Sequence, residues 1–264
     1  MAHPVDWDRF ESEGFLPLGK VASDAQIEAL RNRIDEIMLG KIRYEGMYFQ
    51  LDSDTGQYAD VPVGGAYEGP TLNYRKIEQL EKDPLFRAYI TAPLFREIAA
   101  RVYPADVSVY RAMFMNKPAG TGGGAGARTG GTVLPYHQDG GTGWNLSAHP
   151  LITIWTALDP AARANGCMQV IPGSHKLGLL TERGHTLSAE HEALYAPDEK
   201  SVYLEAETGE AILLHNWLIH RSGINTINCA RRALSVCYTD AATRYLANNH
   251  TYPVVFSATG REAA

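Results

Sequence analysis

The chain has 264 residues, 45% hydrophobic and 20% charged, with a formal net charge of −6. This is the composition of an ordinary globular domain with a sizeable core, which excludes disordered and fibrous classes. The acidic balance and the lack of a Lys/Arg cluster argue against a nucleic-acid partner, and apolar runs such as 151–158 are too short to span a bilayer.

The N-terminal residues carry charges throughout and no apolar core, so no secretory leader is expected. Ser23 and Gln26 form a capping box ahead of Ile27, Leu30, Ile34 and Ile37, which predicts a helix that Gly40 stops. Asp83-Pro84 and Pro93 start two shorter helices, because proline is tolerated in a first turn. Residues 45–72, rich in Gly, Asp and Tyr, are expected to be a loop of the size that covers a site. Beyond about residue 106 the pattern changes. Segments 107–115, 151–158, 168–171, 211–214 and 233–238 are short, apolar or β-branched, and are separated by turns such as Asn165-Gly166 and Pro172-Gly173. They predict a mainly β antiparallel sandwich or jelly roll. With no linker visible, residues 1–264 are expected to form one domain, helical over about 1–105 and a jelly roll over about 106–245. The Gly-rich run 120–131 lacks GxxxxGK[ST], so it reads as a connector near the site, flexible until substrate orders it. Cys167, Cys229 and Cys237 lack CxxC spacing and are expected to be buried thiols of a cytoplasmic protein.

The first chemistry-bearing motif is Pro135-Tyr136-His137-Gln138-Asp139-Gly140-Gly141. On an extended backbone His137 and Asp139 share a side and can offer an imidazole and a carboxylate to one ion, while Gln138 turns away unless the strand bends. A distant histidine on another strand would complete two His and one carboxylate on one face of a metal. That face leaves positions open for a cosubstrate and O2, as non-haem iron(II) oxygenases require. His220 and His215 both follow the apolar segment 209–214 and both qualify by position alone.

Over residues 10–238 the sequence resembles the phytanoyl-CoA dioxygenase family of iron(II)- and 2-oxoglutarate-dependent oxygenases. The resemblance is carried by Tyr74-Arg75-Lys76-Ile77, Met113-Phe114-Met115-Asn116-Lys117-Pro118, His137-Gln138-Asp139 and Ile154-Trp155-Thr156. It continues through Asn165-Gly166-Cys167, Pro172-Gly173-Ser174-His175, Leu218-Ile219-His220-Arg221-Ser222-Gly223 and Arg231-Arg232-Ala233. It implies a double-stranded β-helix (a cupin-like jelly roll) with supporting N-terminal helices. It also implies His137, Asp139 and His220 as iron ligands, catalytic in that capacity, and leaves His215 and His175 structural. Arg231 matches the arginine that grips the far carboxylate of 2-oxoglutarate. Lys76, Met113, Gln138, Trp155 and Ser222 match residues of the same cosubstrate pocket.

Physical chemistry supports that set. A diacid chelating iron through its keto-acid end buries its other carboxylate, which is costly unless an arginine fork pairs it. Ser222 and Lys76 can satisfy the remaining lone pairs, and strand alternation turns Arg232 outward into solvent. The implied reaction consumes 2-oxoglutarate and O2, releases succinate and CO2, and hydroxylates an unactivated C–H bond of a small-molecule substrate. Asp139 argues against halogenation, which needs the carboxylate position vacant for halide. Two alternatives stay open: a cupin-type metalloenzyme that does not use 2-oxoglutarate, and a non-catalytic jelly-roll binding module. The segment 44–74 and Trp144 are expected to shape the substrate pocket, and the substrate is left open among acyl-CoA, natural-product and amino-acid derivatives.

Overall fold

The computed structural model describes residues 5–119, 131–181 and 186–259. Eight strands form one antiparallel sheet. They include β1 (Phe15–Lys20), β2 (Tyr48–Leu51), β3 (Tyr74–Glu78) and β4 (Val107–Lys117). A four-stranded sheet faces it, built from β5 (Leu134–His137), β7 (Met168–Val170), β8 (Val202–Leu204) and β10 (His220–Ser222). The large sheet is completed by β6 (Ile152–Ala157), β9 (Glu210–His215), β11 (Arg231–Asp240) and β14 (Val254–Phe256), the last pairing with β4 beside the main path. That path runs β1-β9-β6-β11-β4-β3-β2 and the small sheet runs β5-β10-β7-β8. A short hairpin, β12 (Arg244–Tyr245) with β13 (His250–Thr251), stands apart. Two facing antiparallel sheets are the expected jelly roll.

Side-chain alternation divides the large sheet. Ala112, Phe114, Ile77, Leu234, Ile154 and Leu213 pack in one cluster with Ile27, Leu30, Ile34 and Ile37 of α2 (Asp24–Met38). Phe86 of α3 (Pro84–Ile90) and Phe95 and Ile98 of α4 (Pro93–Val102) join them. The opposite face carries Trp155, Ala157, Ala233, Ile212 and Leu214 into a second cluster with Met168, Val170 and Leu204 of the small sheet. The core is therefore layered as helices, large sheet, small sheet.

All three expected helices form where their signals lie. Ser23 caps α2 through a complete capping box, and Asp83 caps α3 by accepting from the Leu85 and Phe86 amides. The first third, however, is not merely helical: β1, β2 and β3 within it supply three strands of the large sheet. Segment 45–72 likewise begins with a strand, β2, hydrogen-bonded to β3. Tyr48 and Gln50 share the side that faces the cleft and only Phe49 of its four residues is fully buried, so the apolar signature of a strand is weak there. The cysteines are free, with Cys167 and Cys237 buried and Cys229 exposed, so the expectation of burial fails at Cys229. The Gly-rich run lies outside the described residues apart from Gly131. No helix among the described residues is long and apolar enough to cross a membrane.

Candidate metal centre and cosubstrate pocket

β5 and β10 are adjacent and antiparallel, and their register sets His220 directly opposite His137. Their ring centroids lie 4.0 Å apart. Asp139 sits just past the end of β5, where its amide donates to the Asn216 carbonyl in the turn between β9 and β10 at 2.7 Å. Asn216 is itself buried and held by Thr153 Oγ1 and the Pro150 carbonyl. One ligand atom from each of His137, Asp139 and His220 falls within 4.8 Å of the others, and Asp139 Oδ2 is 3.9 Å from His220 Nε2.

The backbone fixes which ring nitrogen faces the cluster. His137 Nδ1 lies 2.8 Å from the Pro135 carbonyl, and His220 Nδ1 lies 2.9 Å from the Leu218 carbonyl. A carbonyl only accepts, so each Nδ1 carries the proton and each Nε2 keeps its lone pair for a cation. Ser174 secures this arrangement from behind by accepting the Ile219 amide at 2.9 Å.

His215 lies outside this cluster, stacked among His175 at 4.9 Å, Trp217 at 5.5 Å and Phe10 at 6.4 Å. Its Nδ1 accepts the Trp217 amide, and burial, then neighbouring His175, pushes its pKa down to about 4. His175 reaches the Glu11 carbonyl through Nε2 and so ties its turn to α1 (Trp7–Glu13).

Beside the cluster opens a cleft of about 520 Å³ lined by His137, Asp139, Lys76, Met113, Arg111 and Trp144, among others. Lys76 and Met113, expected around the cosubstrate, are therefore here. The Lys76 ammonium also pairs with Glu78 at 2.9 Å. Burial pushes the Glu78 carboxyl up, but Arg111 and Lys76 outweigh it and hold it below the ordinary range. Tyr48, Tyr58 and Val61–Gly64 from the segment 45–72 line the same cleft, as does Trp144, whose ring lies 4.9 Å from the Arg111 guanidinium carbon. Tyr44 instead donates to Asp83 and takes no part in this cleft.

Gln138 is a correction. Its side chain is completely buried, donates to the Gly178 and Trp217 carbonyls, and accepts the Leu180 amide. With those three bonds on the far side of β5, its amide is not available to a cosubstrate. β5 ends at His137 and the chain bends at Asp139, yet Gln138 stays out of the cleft lining, on the side that alternation predicts.

Arg231, Trp155 and Ser222 lie deeper. Arg231 opens β11 on the inward face, directly opposite Lys117 of β4, with its guanidinium carbon 5.8 Å from the Trp155 ring. It is 3% exposed, its Nε has no hydrogen-bond partner among the described residues, and burial pushes its pKa down to about 10. A guanidinium so deep in the protein with no ion pair among the described residues fits a pocket that receives a carboxylate. Ser222 is buried on β10, opposite Leu134 of β5, whose side chain lines the cleft. Arg232 does turn away, but not into solvent: it binds Asp159 at 2.7 Å and Asp35 of α2 at 3.0 Å. The acidic partners come from distant segments, so no local pattern around Arg232 announces them.

Arg111 and Arg75 also line the cleft without having been singled out. Arg111 follows from alternation, since residues 111, 113, 115 and 117 share a face of β4. Arg75 does not, because a register shift between Gln50 and Leu51 sets it within an irregularity of β3.

A family model described as phytanoyl-CoA dioxygenase (PhyH) matches residues 10–233. Bovine (Bos taurus) peroxisomal phytanoyl-CoA dioxygenase is 26% identical over 243 residues, covering 90% of this chain and 68% of that protein. The Arabidopsis thaliana phytanoyl-CoA dioxygenase is 26% identical over 256 residues, covering 88% and 87%. Among solved structures, the non-heme alpha ketoglutarate dependent carbocyclase SnoK superposes with a TM-score of 0.68 at 22% identity, covering 92% of this chain and 87% of its own. EctD from S. alaskensis, with 2-oxoglutarate and 5-hydroxyectoine, gives 0.68 at 17% identity, covering 90% and 76%. At those identities the structural likeness speaks to the fold.

Proposed function

The chain belongs to the phytanoyl-CoA dioxygenase family, and from that premise we propose that this 2-oxoglutarate-dependent non-haem iron dioxygenase hydroxylates an unactivated C–H bond of a small molecule, with His137, Asp139 and His220 as its iron ligands. The observation that carries the reading is the convergence of those three ligand atoms within 4.8 Å at the wall of an open cleft. Two imidazoles and one carboxylate suit iron(II) and would leave positions on it open for other ligands.

When bound, iron(II) with 2-oxoglutarate and O2 supplies the oxidising power for the C–H bond, with succinate and CO2 as coproducts. The chain's own residues hold and orient. The Pro135 and Leu218 carbonyls keep both Nε2 lone pairs turned inward. Arg231 pairs the distal carboxylate of the cosubstrate, Ser222 donates to it, and Trp155 and Met113 provide apolar walls. Lys76, steadied by Glu78, places a positive charge at the cleft. Trp144, Tyr48 and Tyr58 shield the cleft from water and seat the substrate.

The test is a screen of candidate small molecules for stimulated succinate release by the iron(II) enzyme. Product from the stimulating compound should gain one oxygen atom, from O2. Stimulation without oxygen insertion would replace hydroxylation by another oxidative outcome. No stimulation, with 2-oxoglutarate failing to bind, would favour a cupin-type enzyme that does not use it.

A further inference from the structure

We propose that Lys117 is a second cationic anchor for the distal carboxylate of 2-oxoglutarate, standing beside Arg231, with Arg75 as the third charge of the cluster. This rests on the reading of Arg231 given above and extends it to residues that reading does not use.

Lys117 ends β4 directly opposite Arg231, so the two side chains leave the same face of the large sheet at neighbouring points. The lysine is 4% exposed. Its ammonium crosses to the small-sheet side and donates to the Thr132 carbonyl, two residues before β5 begins, at 2.5 Å. Its stem runs through a slot made by two glycines. A Cβ on Gly131 would come within 2.8 Å of Lys117 Cβ, and one on Gly166 within 2.8 Å of its Cδ. Both glycines have positive φ, +74° and +77°. The Asn165-Gly166 turn thus leaves room both for the Gly223 carbonyl, 2.5 Å from such a Cβ, and for this side chain.

The charges around it do not balance. The groups that face Lys117 are Arg231, Arg75 and Asp52. Asp52 already accepts from the Thr132 hydroxyl. Arg75 donates to Gln50 at 3.0 Å and has no ion pair among the described residues. Nor does Lys117 or Arg231. Asp159 also acts on Arg231 but is already paired with Arg232 and Arg31, so the three buried or half-buried cations outnumber the carboxylates free to answer them, and 2-oxoglutarate supplies the missing anion. Burial, then Arg231 and Arg75, hold the lysine well below its ordinary value. An incoming carboxylate acts the other way and favours the charged ammonium, so proton uptake on binding is the expected signature.

The experiment is calorimetric titration of 2-oxoglutarate into the anaerobic iron(II) protein at about pH 8, in two buffers of different ionisation enthalpy, which counts protons taken up. Wild type, K117M and R231M are compared, and melting temperatures establish that each variant is folded. The expected result is a loss of roughly 10- to 100-fold in affinity for K117M, with proton uptake smaller than in wild type. R75Q should lose several-fold. If R231M weakens binding while K117M matches wild type in affinity and proton count, the Lys117 proposal falls alone. If R231M itself binds 2-oxoglutarate normally, the reading of the pocket falls and the proposal with it. Because the proton count in wild type needs no substitution, binding without proton uptake in wild type overturns the linkage even if K117M is destabilised.

Discussion

Two histidines illustrate how little of a residue's role its type reveals. His220 and His215 both follow the same apolar strand, yet one faces Asp139 and the other is sealed against His175 and Phe10. His137→Ala, Asp139→Ala and His220→Ala should each abolish iron(II) binding and turnover, measured by metal content after dialysis and by succinate release. His215→Ala should keep its iron, since indirect support costs about 10- to 100-fold in metal affinity at most. Iron lost at His215 and kept at His220 would reverse the assignment. The adjacent arginines divide in the same way. Arg231→Ala should weaken 2-oxoglutarate about 10- to 150-fold, read from the charge-transfer band of the anaerobic complex. Arg232→Ala should leave that affinity nearly intact while lowering stability by about 1–3 kcal/mol, because it leaves Asp159 and Asp35 short of a partner.

At the scale of elements, legibility followed from where each signal resides. The helix α2 is announced by a local capping box and a regular apolar face, and it forms as read. The strands β4, β6 and β11 lie between helices and the small sheet, so both faces favour apolar residues and the segments stand out. The strands β2, β3 and β10 do not. Each is short, carries site residues at inward positions, and owes its pairing to distant partners. Lys76, Gln50 and His220 occupy the places where apolar side chains would have marked a strand. The irregularity at Arg75 is invisible for the same reason, since a register shift belongs to two strands at once. Local signals can be tested locally. Ser23→Ala removes the acceptor of the Gln26 amide at the start of α2 and should cost about 1 kcal/mol by denaturant titration, with 2-oxoglutarate affinity unchanged. A much larger loss would mean that α2 docks on the sheet only when its cap is intact.

For the molecule as a whole, acid stability should fall in two separate stages. His215 has an ordinary value of 6.5 and is pushed down to about 4 by burial and by His175. A folded-state value below the unfolded one means that the unfolded chain binds the proton first. The contribution is therefore complete above 6.5 and is lost as pH falls towards 4, by on the order of 3 kcal/mol. Asp83 acts lower. Burial raises its carboxyl, but hydrogen bonds from Arg33, Tyr44 and the Phe86 and Leu85 amides outweigh it and hold it below 3.8. Its contribution is present above that value and disappears beneath it. Melting temperatures across pH 2 to 7 should flatten above pH 4 in His215→Asn, whereas Asp83→Asn should lower the whole curve and flatten only its end below 3.8. An unchanged slope in His215→Asn would exclude that histidine as the origin of the first stage.

The three ligands of the metal cluster all belong to the small sheet or the turn at its edge, whereas Arg231 and Lys117 belong to the large one. Metal alone would therefore staple one wall of the barrel. A cosubstrate held at one end by the metal and at the other by Arg231 would be a strut between both walls, so that the outward breathing of the sheets and the escape of the diacid would become a single movement. Hydrogen exchange should report it in order: iron(II) slowing β5 and β10 first, and 2-oxoglutarate then slowing the facing ends of β4 and β11 together with them. Succinate, one carbon shorter, should brace the walls less tightly, and the barrel would then tell spent cosubstrate from fresh by its own stiffness.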